Sequence, residues 1–438
     1  MNYSNYCITC MHDTCGKFPC AICGSEQDTS NPPPGLQPYT VLNGQYLIGK
    51  CLGLGGFGVT YIGLDLVLKM KVVIKEFLPR HIARRDTHKS IVVPITNDFK
   101  EDYDYSLSKF IDEAQTLARF NHQNIVPILF FFKEKNTAYF IMRYIPGCTL
   151  EEHVRRHPDG LSEEEMLDII MPVLDGLEEV HKAGVLHRDI KPKNIFMSDE
   201  GKPILLDFGA ARYAISNKLS IWLTHSFAPL EQYAADTTYG HQGPWSDIYA
   251  CAATMYSCLQ GYNFEKKRLD GPTRAPDRQN GHPLPHLKNV SKKKLSRPFA
   301  DAIMKGLEMD IKQRPQTARE FQELLKGSQR QALEKKHELL ILAGEFEGER
   351  IPLSSKPLIV GRNPRKSSLV FSDTNISGTH VQFHSANGMV YVMDMQSTLG
   401  TYINDTKRIS PFEIVVVTTG ETVSLGGRVV FKVVERDS

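Results

Sequence analysis

One octapeptide, HRDIKPKN at residues 187–194, constrains the chain more than any other stretch. Asp189 is followed two residues later by Lys191 and five residues later by Asn194. A proton acceptor, a cation for phosphate and an oxygen ligand for a metal therefore share one short loop. Phosphoryl transfer requires these three roles together, because its catalysis consists mainly of positioning a hydroxyl group and neutralising charge. A polar turn after a helix is the alternative interpretation, since short motifs also occur by chance.

A second acidic position lies downstream of this loop. The tripeptide DFG at residues 207–209 follows the apolar run 204–206, which predicts a short strand that delivers the carboxylate of Asp207 to a magnesium ion. Together the two stretches resemble the catalytic loop and the DFG motif of the bacterial Hanks-type, or eukaryotic-like, serine/threonine protein kinases.

The resemblance implies a role for each residue of the two motifs. Asp189 would orient the acceptor hydroxyl and accept its proton, and Lys191 would contact the γ-phosphate of ATP. Asn194 and Asp207 would hold Mg²⁺ or Mn²⁺. Because every one of these positions is intact, the resemblance implies an active enzyme rather than a kinase fold without activity.

The region that precedes the catalytic loop contains a glycine-rich stretch and a lysine. Backbone amides without side chains around them can close over phosphates, although a glycine-rich hairpin without function is the usual alternative. A Rossmann fingerprint is disfavoured because a strand, and not a helix, is predicted to follow. Lys75 ends an apolar strand, and the resemblance implies that it contacts the α- and β-phosphates. The four glycines are Gly53, Gly55, Gly56 and Gly58.

A helix is predicted over residues 103–120 because apolar residues recur there at helical spacing. Glu113 lies on its inward face, and a buried carboxylate requires a partner. Lys75 is the expected partner, as in the lysine–glutamate ion pair of kinases. The stretch YFIMRYI resembles the strand and hinge that bind adenine, so Met142 and Ile145 are expected to contact ATP.

The segment between the DFG motif and Glu231 resembles an activation segment. Glu231 is expected to pair with Arg314, and Asp247 is expected to hold the backbone of the catalytic loop. Lys191, with a threonine seven residues before Glu231, favours serine or threonine over tyrosine as the acceptor. That threonine is assigned a structural contact, so the expected activation phosphosites are Ser216 and Ser220.

Five of the nine cysteines fall within the first 23 residues. Each CxxC pair can hold one face of a tetrahedral metal ion, for which Zn²⁺ is the default. A segment this short cannot bury enough surface to fold alone, so the metal would supply the folding free energy. A redox CxxC motif or a disordered tail are the alternatives, and Cys15 or His12 could substitute for one ligand. The two pairs are Cys7 with Cys10 and Cys20 with Cys23.

The last hundred residues alternate apolar and polar side chains between glycine turns, which predicts a β-sandwich. The residues around Arg362, Ser377 and Thr398 resemble a forkhead-associated (FHA) domain, a family that binds phosphothreonine peptides. A guanidinium makes bidentate contacts to phosphate, so Arg362 is the expected anchor. Leu399 replaces an asparagine that is usual in the family, and binding is therefore expected to be weak or to use another peptide register.

The composition gives limits to partners and location. The chain has 52 basic and 50 acidic residues, a balance that exerts no general attraction on nucleic acid or membranes. No apolar run approaches the ~20 residues of a membrane-spanning helix, and the amino terminus lacks a secretory signal pattern. A cytoplasmic protein with reduced thiols is therefore expected.

These observations predict a multidomain α+β chain in which a bilobal kinase fold follows a small zinc ribbon and precedes an all-β FHA sandwich. The expected function is ATP-dependent phosphorylation of proteins on serine or threonine, with recruitment of phosphothreonine-containing partners. The competing hypothesis is a scaffold whose kinase fold is inactive. The expected boundaries are 1–28 for the ribbon, 29–40 for a proline-rich linker, 41–327 for the kinase, 328–338 for a helical linker and 339–438 for the sandwich.

Overall fold

The computed structural model describes residues 3–26, 30–86, 88–208, 226–233, 240–333, 337–386 and 389–435. The chain divides into two compact units. One comprises Met1–Ser296 with Ala300–Leu325, and the other comprises Arg297–Phe299 with Lys326–Ser438. Within the described ranges no helix combines the length and the apolar character needed to cross a bilayer.

The first unit begins with a six-stranded antiparallel sheet that holds the predicted nucleotide-binding residues. The predicted helix is present at Lys100–Leu117 and packs Phe110 against Phe140 with 3.9 Å between the ring centroids. A small hairpin of Ala83–Arg85 and Val92–Pro94 leads to this helix through the 3-10 turn Asn97–Phe99. In order across the sheet the strands are Val41–Leu42, Tyr46–Leu54, Gly58–Asp65, Met70–Phe77, Thr137–Arg143 and Ile128–Glu134.

The cysteine-rich segment packs directly on this sheet. Met11 is buried in a cluster with Leu47, Ile62 and Leu64, and the amide of Lys50 donates a 2.7 Å hydrogen bond to the carbonyl of Ile8. The first half of the strand Tyr46–Leu54 therefore contacts the cysteine-rich segment, and its second half continues into the glycine-rich loop.

The proline-rich stretch between the cysteines and the sheet is also held in place. The Asn31 side chain is buried, donates to the carbonyl of Gly49 at 2.8 Å and accepts from the amide of Cys51 at 2.8 Å. Asn31, in the expected proline-rich linker, thus contributes to the packing of the first unit.

The remainder of the first unit is mainly helical and carries the catalytic loop. Its longest helix, Glu163–Lys182, begins with a capping box of Ser162 and Glu165, and Gly184, just beyond its end, has a φ of +73°. The helices of this part of the chain are Leu150–Arg155, Glu163–Lys182, Pro244–Gln260, Ala275–Gln279, Leu287–Val290, Arg297–Gly306 and Ala318–Leu333, of which the last two cross the boundary between the two units. The 3-10 turns are Pro192–Asn194, Leu230–Gln232 and Ile311–Gln313, and the strands are Gly147–Thr149, Ile195–Ser198, Pro203–Leu205, Tyr262–Asn263 and Arg268–Leu269.

The second unit is the predicted β-sandwich, and its first strand begins at His337, two residues earlier than expected, because His337 pairs with Glu435. Its core includes Phe371, Phe383 and Phe431. One sheet is ordered Arg350–Pro352, His337–Ala343, Val429–Glu435, Thr422–Leu425, Thr401–Ile403 and Lys407–Arg408. The other is ordered Leu369–Val370, Leu358–Gly361, Val381–Ala386, Met389–Asp394 and Ile414–Val417.

Candidate active site

The backbone of the catalytic loop is fixed by one buried carboxylate. Asp247, on the helix Pro244–Gln260, accepts hydrogen bonds from the amides of His187 and Arg188, each at 2.8 Å. Its Oδ2 atom also lies 2.8 Å from His181 Nε2. Burial would raise the pKa of Asp247, but these partners outweigh it and lower the pKa. The carboxylate therefore stays ionised, as its predicted role as a backbone acceptor requires.

Asp189 lies between two donors that the same loop supplies. Its Oδ2 atom accepts hydrogen bonds from Lys191 Nζ at 2.7 Å and from Asn194 Nδ2 at 2.9 Å. The Asn194 amide nitrogen also donates to the carbonyl of Asp189 at 2.8 Å, so the amide oxygen is turned away from Asp189. The amide nitrogen of Asn194 is thus used within the loop, and its oxygen atom, the kind of atom that Mg²⁺ prefers, is the one left for the expected metal contact.

The second acidic residue lies beside the strand lysine. Lys75 Nζ is 2.8 Å from Asp207 Oδ1 and 4.0 Å from Glu113 Oε1. Burial opposes the charge on Lys75, but the carboxylates of Asp207 and Glu113 outweigh it and raise the pKa of the lysine. The predicted partner Glu113 is therefore present at the edge of ion-pair distance, and the closer contact is with Asp207.

The loop and the strand that carries Asp207 are joined by backbone contacts. The amide of Leu206 donates to the carbonyl of Asn194 at 2.8 Å, and His187 Nε2 lies 2.9 Å from the carbonyl of Leu206. These bonds bring the two predicted metal ligands to neighbouring positions in the fold. Lys75 lies near both acidic residues, since the carboxylates of Asp207 and Asp189 both raise its pKa.

The glycine-rich turn approaches the neighbouring strand closely. A side chain at Gly58 would place its Cβ atom 2.3 Å from the carbonyl oxygen of Glu76, so only glycine fits there. The amide of Gly55 donates to the carbonyl of Gly58 at 2.9 Å and closes the turn. Of the expected adenine contacts, Met142 is buried and Ile145 is half-buried in one apolar cluster.

The predicted scaffold pair is buried far from solvent. Arg314 Nη1 lies 2.7 Å from Glu231 Oε1, and Ser246 Oγ donates to the same oxygen at 2.8 Å. The side chain of Gln232 donates to the carbonyl of Arg188 at 2.7 Å and connects this pair to the catalytic loop. The expected phosphosites Ser216 and Ser220, together with Gly209 of the DFG motif and Thr224, lie outside the described residues.

The four expected cysteines of the amino-terminal segment converge. Their sulfur atoms all lie within 4.8 Å of one another, and two pairs, Cys7 with Cys23 and Cys10 with Cys20, are 3.6 Å apart. A tetrahedral zinc ion with ligands at ~2.3 Å would separate sulfur atoms by ~3.8 Å. The pKa shifts within the cluster have both signs: backbone hydrogen bonds, first from Cys23, lower the pKa of Cys20 to about 6, whereas burial raises the pKa values of Cys10 and Cys23.

The two halves of the cysteine cluster repeat one turn. The amide of Met11 donates to the carbonyl of Cys7 and the amide of Gly24 donates to the carbonyl of Cys20, both at 2.8 Å. The residue that closes each turn has a positive φ, +55° for Met11 and +68° for Gly24. Cys15 and His12, the possible substitutes, are exposed and do not belong to the cluster among the residues described.

The loops at one end of the sandwich bring together the residues expected to bind a phosphopeptide. Ser377 Oγ accepts from the amide of Thr398 at 2.9 Å, and the amide of Arg362 donates to the carbonyl of Ser377 at 2.9 Å. Buried His380 connects these loops, since its Nδ1 accepts from the amide of Ser377 and its Nε2 lies 3.2 Å from the carbonyl of Gly400. The Arg362 side chain is exposed at this end.

Comparison with family models gives the decisive observation. The model of the protein kinase domain matches residues 46–326, which is more than half of the chain, and the model of the FHA domain matches residues 358–426. The chain belongs to the protein kinase family. The bilobal kinase fold and the carboxy-terminal FHA sandwich that the sequence predicts are both confirmed.

The relatives of this kinase are bacterial. Serine/threonine-protein kinase F of Synechocystis sp. is 33% identical over 66% of this chain and 56% of its own length. Serine/threonine-protein kinase PknL of Mycobacterium tuberculosis is 29% identical over 51% of each chain. The chain thus spans about half the length of these curated relatives. The solved structure "PpkA-294 apo form" is 31% identical with a TM-score of 0.59, over 66% of this chain and 99% of that one.

One buried hydrogen-bond network in the kinase domain was not predicted from the sequence. Glu76 follows Lys75 and points to the opposite face of the sheet, where it is fully buried. Its carboxylate accepts hydrogen bonds from Tyr61 at 2.8 Å, Tyr139 at 2.7 Å and Arg85 at 2.6 Å. Strand alternation could have placed Glu76 opposite the lysine, and a carboxylate in that position requires partners.

Proposed function

We propose that this protein is an ATP- and magnesium-dependent kinase that phosphorylates serine or threonine hydroxyl groups of other proteins. The observation that carries the proposal is the position of Asp189 between Lys191 and Asn194, on a loop bonded to the strand that delivers Asp207. These groups supply a proton acceptor, a cation for the transferred phosphate and two oxygen ligands, which is the set that phosphoryl transfer needs.

Each of these residues has a definite task in the transfer. Asp189 orients the acceptor hydroxyl and takes its proton, while Lys191, bonded to the same carboxylate, balances the charge of the γ-phosphate. Asn194 and Asp207 would hold magnesium, which when bound neutralises charge on the phosphate oxygens. Lys75 and the glycine-rich loop hold the other phosphates, and Glu113 keeps Lys75 within reach of them.

A labelling experiment tests this proposal. Wild-type protein incubated with γ-labelled ATP and magnesium is expected to transfer label to serine or threonine residues of itself or of a general protein substrate. Asp189→Asn removes the proton acceptor at constant size and is expected to lower the rate by roughly 10²- to 10⁴-fold. Asp199→Asn, at an exposed aspartate ten residues away, is the matched control and is expected to retain the wild-type rate.

The competing function is a scaffold whose kinase fold does not transfer phosphate. Equal labelling of wild type and Asp189→Asn, or no labelling of either, would favour the scaffold. The intact Asp189 and Asp207 favour the enzyme, since an inactive scaffold needs neither a proton acceptor nor a metal ligand.

We also propose that the FHA domain recruits phosphothreonine-containing partner proteins. Support comes from the exposed Arg362 next to the hydroxyl groups of Ser377 and Thr398, which lie 3.3 Å apart. A guanidinium and two hydroxyl groups form a donor set for a phosphate. Substrate proteins or regulators that carry phosphothreonine are the partners this set fits.

A structural Zn²⁺ ion is the third element of the proposal. The four sulfur atoms have the number and the spacing of a closed tetrahedral site, which leaves no open position for catalysis by the metal. Thiolate ligands require a reducing environment, so this site fits a protein of the cytoplasm.

A further inference from the structure

The residues that follow the strand Met70–Phe77 donate hydrogen bonds to the glycine-rich loop, Gly53–Gly58. The amide of Leu78 donates to the carbonyl of Phe57 at 3.0 Å. The amide of Arg80 donates to the carbonyl of Gly56 at 3.0 Å, and Arg80 Nε donates to the carbonyl of Gly55 at 2.9 Å. Three successive carbonyl groups of the loop therefore have donors in residues 78–81, which we call the latch segment.

The direction of these bonds matters for a site that accepts phosphates. Carbonyl oxygens carry partial negative charge and repel a phosphate, whereas amide N–H groups attract it. A carbonyl that accepts a hydrogen bond from the latch segment cannot at the same time turn toward a phosphate. Apart from the Gly55 amide, which donates to the carbonyl of Gly58, the loop can then present its amide groups to the phosphates without first turning its peptide planes, which is the condition for a preorganised anion site.

The latch segment also approaches Gly56 closely through a side chain. A Cβ atom at Gly56 would lie 3.0 Å from His81 Nε2, tighter than an ordinary contact. The His81 ring packs edge-on against Phe57 with 6.0 Å between the ring centroids. Backbone, side chain and ring contacts thus fix the same three loop residues.

We propose that Arg80 is a positioning residue for nucleotide binding, which acts by holding the glycine-rich loop in its phosphate-binding conformation. Arg80 lies five residues after Lys75 in the sequence. One short stretch of chain therefore positions both the lysine that is expected to contact the phosphates and the loop that is expected to cover them. The inference rests on the proposed function, because it assumes that the loop covers ATP.

Nucleotide affinity tests the proposal without requiring catalysis. In the full-length protein, Arg80→Ala is expected to weaken the binding of a fluorescent ADP analogue roughly three- to tenfold, the range for loss of one side-chain hydrogen bond. Arg80→Lys is expected to recover part of the affinity, because its ammonium group can still donate to the carbonyl of Gly55. Arg84→Ala, at an exposed arginine of the adjoining hairpin, is the matched control and is expected to bind as wild type does.

Steady-state kinetics and amide exchange separate positioning from folding. Arg80→Ala is expected to raise KM for ATP by the same factor with a smaller change in kcat, and to speed hydrogen exchange at the Gly55 amide at an unchanged melting temperature. Equal affinity of wild type and Arg80→Ala, or equal losses in Arg80→Ala and Arg84→Ala, would overturn the latch and leave the kinase activity standing. Wild-type protein that binds no nucleotide would instead overturn the proposed function.

Discussion

At the scale of single residues, His187 shows how the catalytic loop is built on a neutral side chain. Its ring is fully buried and stacks on Phe208 with 4.4 Å between the ring centroids. Because a carbonyl can only accept, Nε2 donates to Leu206, and Nδ1 accepts from the amide of Asp189 at 3.3 Å. Burial lowers the pKa of His187, although Asp247 and Asp189 oppose this effect.

The lowered pKa predicts a pH dependence of stability. The unfolded chain protonates His187 near pH 6.5 and the folded kinase domain does so only at lower pH, so the unfolded state binds more protons in that interval. The stabilisation is complete above about pH 6.5 and is lost as the pH falls to the folded pKa. Urea unfolding between pH 7.5 and 5.5 is expected to show a loss of up to ~1.4 kcal/mol per pH unit from this group.

A variant assigns that slope to His187. His187→Asn cannot titrate and is expected to flatten the dependence, while His282→Asn, at an exposed histidine, keeps the wild-type slope. If His187→Asn does not fold, His187→Gln serves the same purpose. Identical slopes for the wild type and the His187 variant would show that this ring does not control the acid sensitivity.

The residues that sequence could and could not predict differ in how their contacts are encoded. Asp189, Lys191 and Asn194 share one short loop, so their roles follow from local spacing. Arg80 carries no motif, because its partner Gly55 becomes a neighbour only when two strands pair. The sequence predicts only Glu113 as the partner of Lys75. The closer contact of Lys75 with Asp207, at 2.8 Å, joins residues more than one hundred positions apart, so no local pattern predicts it.

At the scale of elements, period-two patterns predicted the strands of the sandwich well. In the strands Met389–Asp394 and Val429–Glu435, buried positions alternate with more exposed ones. Alternation is a local property, and both faces of these strands are set by it. The packing of the cysteine segment on the kinase sheet had no such pattern, because Met11 is a single apolar residue whose site is formed by three distant ones.

Metal removal is expected to loosen one strand of the nucleotide lobe. The purified protein should carry one zinc per chain, and chelation should unfold the cysteine segment, because metal supplies most of its folding free energy. The amide of Lys50, bonded to Ile8 of that segment, is then expected to exchange faster with solvent, whereas the amide of Cys51, bonded to Asn31, changes less.

The comparison of these two neighbouring amides controls for general unfolding. Cys10→Ser, which removes one ligand, should reproduce the effect of chelation, and Cys15→Ser, at a cysteine outside the cluster, should not. Absence of zinc by elemental analysis, or equal exchange at Lys50 before and after chelation, would contradict the metal site and its connection to the sheet respectively.

At the scale of the whole molecule, the chain joins a protein kinase domain to an FHA domain, and the two proposed functions are complementary, because the first would form phosphorylated residues and the second would bind them. Each domain was predictable because its signature lies in a few short motifs in fixed order. The boundaries of the domains were harder to predict. The segment before residue 41 packs on the sheet of the first unit through Asn31 and Met11, and amino-acid composition does not predict these contacts.

Binding of a phosphothreonine peptide is therefore expected to depend on Arg362 and to be limited by Leu399. Arg362→Ala should abolish measurable binding by full-length protein in a calorimetric titration, while Arg365→Ala, an exposed arginine of the same loop, should change it little.

Leu399 is 44% exposed, so Leu399→Asn can be accommodated and should strengthen binding by about tenfold through added hydrogen bonds to the peptide backbone. Kinase activity towards a peptide that lacks phosphothreonine should be the same in all three variants. Binding that survives Arg362→Ala would place the phosphate elsewhere, and weaker binding by Leu399→Asn would show that the apolar side chain itself contacts the peptide.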